Sequence, residues 1–140
     1  MLSKKAKYAL KALLFLSKNT DRSAVLIGEI SETEGIPKKF LEQILLEMKK
    51  HGILQSKRGK EGGYALGKKS EDIIIGQVVR IIDGPLAPIP CVSKMAYRRC
   101  DECVDEKTCE IRNLFLLVRD ATIEILDNTT LKQLEQKNIL

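Results

Sequence analysis

Between Ile27 and Leu66 the chain sets two amphipathic helical patterns around one short turn. A basic, glycine-rich hairpin follows directly, and few folds accept that order. Ile27 to Glu34 reads as a short helix with Ile27 and Ile30 inward and Gly35 as its stop. Pro37 opens the next helix, where a missing N–H costs nothing. That helix runs to about His51 and stops at Gly52, with Phe40, Leu41, Ile44, Leu45 and Met48 as its buried stripe. Two helices joined through Gly35-Ile36 fit a helix-turn-helix. Ile53 to Lys57 and Tyr64 to Leu66 are strand-like runs on either side of Arg58-Gly59-Lys60-Glu61-Gly62-Gly63. A hairpin in that position is the wing of a winged-helix domain.

The flanks extend this frame. Ser3 can cap a first helix carrying Ala6, Ala9, Leu10, Leu13, Leu14 and Leu16 at helical spacing. Val25-Leu26 and Ile73-Ile74-Ile75 are expected as further short strands. Gly76 to Asp83 is expected as a helix closed by Gly84. Pro85, Pro88 and Pro90 mark a boundary. Ile111 to Leu126 is a strongly apolar helix whose stripe is Ile111, Leu114, Phe115, Leu117, Val118, Ala121, Thr122 and Ile125. That stripe favours packing against a partner subunit, with packing onto the first helix as the alternative. Thr130 with Gln133 forms a capping box for a short last helix. The expected fold is mainly α with a small β-wing. It comprises a winged helix-turn-helix domain over 1–84, a cysteine-rich sensor loop over 85–110, and a dimerisation helix with C-terminal tail over 111–140.

Charge is unevenly placed. Residues 1–70 hold 15 Lys/Arg against 7 Asp/Glu, and residues 71–140 hold 9 against 12. A basic half points to a polyanion, nucleic acid first; a solvated lysine-rich surface is the plainer reading of the charge alone. No apolar run approaches the roughly 18 residues of a membrane span. No signal peptide is expected either, and a cytoplasmic location follows.

A recognition helix contacts base edges from its N-terminal part, where Lys38, Lys39, Glu42 and Gln43 fall. Lys39 can reach guanine or phosphate, Glu42 can accept from cytosine N4, and Gln43 can pair with adenine. Arg58, at the tip of the wing, can enter a narrow minor groove. Lys60 and Gly62 complete the candidate DNA-binding set, the loop glycines allowing tight turning and close approach.

Four cysteines fall at 91, 100, 103 and 109. Four thiolates can close a tetrahedral zinc site or hold an iron–sulfur cluster, and the chemistry alone does not choose between them. Structural zinc, a reversible dithiol switch and unliganded cysteines are competing readings. Lys94, Arg98 and Arg99 lie beside the cysteines and can offset their charge. The one histidine, His51, fits a helix C-terminal cation better than a ligand.

Three segments carry a resemblance: Leu2 to Leu10, Ile36 to Leu45, and Lys57 to Leu66. With the ending Leu126-Asp127-Asn128-Thr129-Thr130-Leu131, they make the chain similar over nearly its whole length to the bacterial iron–sulfur cluster regulators of the IscR, NsrR and CymR type. The resemblance implies a homodimer with crossed long helices. It implies base reading by Glu42 and Gln43, and work by Arg58 from the wing. It also implies an iron–sulfur cluster, 2Fe–2S or 4Fe–4S, on the cysteines, with DNA affinity following its state. The chain departs from the family pattern in places. Cys103-x5-Cys109 keeps the usual five-residue gap, and Cys91-x8-Cys100 does not. Arg112 stands where IscR-like members have a histidine, and Lys7 where NsrR-like members have an acidic ligand.

The expected function is therefore a non-enzymatic regulator that binds a pseudo-palindromic operator in double-stranded DNA. Its affinity would respond to a cysteine-held cluster, metal or redox state. One alternative is a winged-helix regulator responding to a small molecule or partner protein, with structural zinc or free thiols. The other is a small redox protein, which would leave the basic half, helix-turn-helix and wing without a use.

Overall fold

A computed structural model describes residues 2–60 and 62–139. Met1, Leu140 and Glu61, one residue of the expected wing loop, lie outside the described residues. The elements are α1 (Lys4–Ser17), α2 (Ile27–Glu34), α3 (Lys38–Lys50), β1 (Leu54–Lys57), β2 (Gly63–Leu66), α4 (Ile75–Asp83), α5 (Glu110–Asp127) and α6 (Leu131–Glu135). Short 3₁₀ turns lie at Ser70–Asp72 and Pro90–Val92. The fold is mostly helical with one small antiparallel sheet, as expected.

α1 begins where its cap requires: the Ser3 hydroxyl accepts the Ala6 N–H at 3.0 Å. Its small residues Ala6, Ala9 and Ala12 are buried with Leu13 and Leu16. Their size lets α1 lie close to α3, α4 and α6, making it the central helix of the core. α2 ends at Gly35, whose φ of 65° turns the chain toward α3. Lys11 from α1 donates to the Glu34 carbonyl at 2.7 Å, satisfying one of the free carbonyls at that helix end. Pro37 caps α3 from just outside it, one residue before the expected position. Leu41, Ile44, Leu45 and Met48 are fully buried, while Phe40 sits at the edge of the core against the Tyr8 ring. Burying each such side chain contributes about 1.5–3 kcal/mol.

β1 and β2 pair with Leu54 opposite Leu66 and Lys57 opposite Gly63. The expected Val25-Leu26 strand reduces to one bridge, in which Val25 and Tyr64 exchange two hydrogen bonds of 2.8 Å. The expected strand at Ile73-Ile74-Ile75 is not formed. Ile74 makes a single bridge to Thr130, and Ile75 already starts α4. A three-residue apolar run has no resolvable period, and here the core takes Ile73 from an irregular segment and Ile75 from the first residue of α4.

The C-terminal tail returns to the N-terminal half. Thr130 and Gln133 form the expected capping box, and Leu131 enters the core with no exposed surface. The Leu131 N–H donates to Ile73 O at 2.8 Å, and the Ile75 N–H to Thr129 O at 2.9 Å. α5 differs from the other long helices in having no buried residue. It packs on α4 and the Pro90–Val92 turn, not along α1. Among the described residues no helix is long and apolar enough to cross a membrane.

Candidate nucleic-acid interface and thiol cluster

The burial of one side of α3 dictates what the other side presents. With Leu41, Ile44, Leu45 and Met48 inward, Lys38, Lys39, Glu42 and Gln43 are all exposed. Among the described residues no salt bridge engages any of these four. Their charges and amide are available to an external partner. Glu47, by contrast, faces back and pairs with Lys5 of α1 at 2.8 Å.

The wing places Arg58 and Lys60 in solvent beyond the end of β1. Gly62 is different: it is buried, and its N–H donates to Gly59 O at 3.0 Å. A Cβ at Gly62 would lie 2.4 Å from the Lys57 carbonyl oxygen. A Cβ at Gly63, where φ is 129°, would lie 2.0 Å from that of Val25. These glycines shape the wing by admitting other backbone, which presents Arg58 and Lys60 without covering them.

The four cysteines are free thiols. All four line one concavity of about 400 Å³, together with Ile89, Val104 and Ile111. Cys91 lies in the Pro90–Val92 turn, and Cys109 is the N-cap of α5, its sulfur accepting the Arg112 N–H at 3.4 Å. The Cys103 N–H donates to Cys100 O at 3.1 Å, a turn that brings the middle pair to the same wall. The Glu102 backbone hydrogen bond pulls the Cys100 thiol down. The Glu102 carboxylate, burial and Cys103 outweigh it and hold the thiol above its ordinary range.

Among the described residues no three His, Cys, Asp or Glu side chains converge as a formed metal site. The donor chemistry nevertheless fits a thiolate-held centre: four cysteines line one concavity, beside Glu102, Asp105, Glu106 and Arg112 as well as the apolar side chains. His51 takes no part. It caps α3, with ring Nδ1 3.0 Å from Glu47 O.

Arginine has a larger role than expected. Arg112 donates to Cys91 O at 3.3 Å and pairs with Glu106 at 3.4 Å. Arg119 donates to Val92 O at 2.8 Å. Two arginines seven residues apart on α5 therefore hold the turn that carries Cys91. Their spacing, two helical turns, is a signal present in the sequence. The Tyr97 hydroxyl donates to Glu106. That bond, with burial and the Glu106 charge, raises the phenol's pKa against the opposing pull of Arg112 and Arg99. Arg99 donates to the Cys103 and Val104 carbonyls, both at 3.3 Å. Lys94 and Arg98 are exposed and do not line the concavity.

Comparison with known proteins agrees with this architecture. The family model Rrf2, described as an iron-dependent transcriptional regulator, matches residues 2–137. An rrf2-like HTH-type transcriptional regulator of Rhodobacter capsulatus is 46% identical over 137 residues, covering 96% of this chain and 91% of that protein. The structure of CymR, the global cysteine regulator of B. subtilis, superposes with a TM-score of 0.79 at 27% identity, covering 98% and 97% of the two chains. IscR of T. potens gives a TM-score of 0.76 at 25% identity, covering 98% of this chain and 87% of that one. These relatives are regulators, in keeping with a non-enzymatic role. Winged-helix architecture, the exposed face of α3 and a match over nearly the whole length lead to one assignment: the chain belongs to the Rrf2 family of DNA-binding transcriptional regulators.

Proposed function

We propose that this chain acts in the cytoplasm as a homodimer that binds a pseudo-palindromic operator, its affinity set by what Cys91, Cys100, Cys103 and Cys109 hold. The gathering of these four thiols around one concavity at the start of α5 is the observation that carries the reading. The functional units are a DNA-binding head over 1–84, a sensor loop over 85–110, and a dimerisation helix with tail over 111–140. Lys38, Lys39, Glu42 and Gln43 meet the major groove. Arg58 and Lys60 work from the wing, with Gly62 shaping their loop. Two heads reach successive grooves about 34 Å apart.

An iron–sulfur cluster, 2Fe–2S or 4Fe–4S, is the proposed group on the cysteines, with zinc as the alternative. Such a cluster supplies a centre whose occupancy follows iron supply and oxidants. The residues of the chain turn that occupancy into position. Arg112 and Arg119 fix the Cys91 turn to α5, and Cys109 is the cap of α5 itself. The other end of α5 is tied to α4 by Arg80 and Asp127, in two hydrogen bonds of 2.7 and 2.9 Å. α4 packs on α3. Movement at the cysteines thus has a continuous packed route to the reading helix. A coupling of about 1–3 kcal/mol is enough to change operator affinity five- to 150-fold.

The test is metal and acid-labile sulfide content, with an absorption spectrum, on protein purified without oxygen. Iron with sulfide, lost in Cys103→Ala together with the change in operator affinity, is the expected result. Zinc without sulfide would make the site a structural clasp or zinc sensor. Identical operator binding in oxidised, reduced and metal-depleted protein would end the sensing proposal and leave the DNA-binding assignment intact.

A further inference from the structure

Leu46 is 46% exposed, although it lies on the same helix as the fully buried Leu41, Ile44, Leu45 and Met48. The surface neighbours of a helical residue are those three and four positions away. For Leu46 these are Glu42, Gln43, Lys49 and Lys50, all exposed and polar. Lys39 stands two turns earlier, about 20° away around the helix axis. Leu46 is therefore the apolar centre of an otherwise polar face, opposite the core stripe of α3. That face carries Lys38, Lys39, Lys49 and Lys50 against the single free carboxylate of Glu42, because Glu47 is engaged by Lys5. Its charge complements a phosphate-lined surface. The major groove offers such a face one apolar feature, the C5-methyl group of thymine.

We propose that Leu46 is a specificity-determining residue that packs on a thymine methyl in the operator. This inference rests on α3 being the reading helix, and it adds a fifth reader, one turn beyond Glu42 and Gln43. Neither periodicity nor hydrogen-bonding capacity marks Leu46, because a leucine within an amphipathic helix is ordinarily assigned to the core.

The experiment uses the full chain, purified without oxygen. A tight duplex is selected from randomised DNA, and its thymines are replaced one at a time by uracil, which lacks only the methyl. Binding is measured for the unaltered protein, Leu46→Ala and Gln43→Ala. Uracil is expected to weaken the unaltered protein about fourfold at one or two positions per half-site, the effect of one buried methyl. Leu46→Ala should bind more weakly and be indifferent to uracil at those same positions. Circular dichroism should show its fold unchanged, since the side chain is exposed. If Leu46→Ala keeps the full thymine preference, or the unaltered protein has none, the inference is overturned. Gln43→Ala separates the two levels: if it changes base preference while Leu46→Ala does not, only the Leu46 proposal falls. If neither variant changes anything, the reading face itself is wrong and the proposal falls with it.

Discussion

Gly63 and Glu42 show two ways in which single residues act here. Gly63 matters for the side chain it lacks. A Cβ there would stand 2.0 Å from the Val25 carbonyl oxygen, on a backbone with φ of 129°. Gly63→Ala is expected to cost about 1–3 kcal/mol, from strain and forced separation of the wing from Val25. A lower thermal midpoint followed by circular dichroism checks this, and an unchanged midpoint would mean the wing yields freely. Glu42 matters for what it can accept. Glu42→Ala should relax preference at one base position, removing about 1–3 kcal/mol of discrimination there. Binding across a panel of single-base operator variants measures it. A preference unchanged at every position removes Glu42 from the readers.

The joint between α4 and α5 is the element on which the proposed coupling depends. Arg80 and Asp127 form its charged clamp, and Gly76 lets the carboxylate approach: a Cβ at Gly76 would lie 2.0 Å from Asp127 Oδ1. The hydrogen bond from Arg80 is the main cause holding Asp127 below the usual carboxylate range. Burial opposes it, and the charges of Arg80 and Lys94 add to it. A carboxylate with a lowered folded-state pKa contributes its stability in full above the unfolded value. It loses that contribution as pH falls through the folded value. Asp127→Asn should therefore unfold at lower urea than the unaltered protein at neutral pH. The gap should close as the pH is lowered through the acid range. Both side chains are partly exposed, so the neutral-pH effect is about 1 kcal/mol or less. A gap independent of pH would mean that packing, not charge, holds the joint.

At the scale of the molecule, α5 leaves Ile111, Leu114, Leu117 and Ile125 more than half exposed. A stripe of that kind on an 18-residue helix is the surface a second copy would cover. Leu114→Lys with Leu117→Lys should convert a dimer to a monomer in sedimentation velocity and weaken operator binding. A monomeric unaltered protein at micromolar concentration would refute the dimer. The basic half of the chain also predicts steep salt dependence. If Lys39 contacts phosphate, Lys39→Ala should lower the slope of log affinity against log salt by about one.

Local sequence determined most of the elements, because their signals are short-range. Ser3 as a cap, Gly35 as a stop and the Thr130–Gln133 box each depend on contacts within a few residues, the α3 stripe is legible from its helical period, and each is present. The cysteines could be named as a set from spacing and chemistry. Tertiary structure decided what distant segments do to one another. Ile73 to Ile75 is too short to show a period, and its conformation follows from pairing with Thr129 to Leu131 more than fifty residues away. The same return path puts Leu131 in the core and α6 against α1, which no local pattern in the last ten residues announces. Arg112 and Arg119 acquire their roles only when α5 lies beside the Cys91 turn, since a donor has no meaning until a carbonyl is brought to it. Local propensity selects elements; their partners are selected by burial and by the need to satisfy backbone groups across the whole chain.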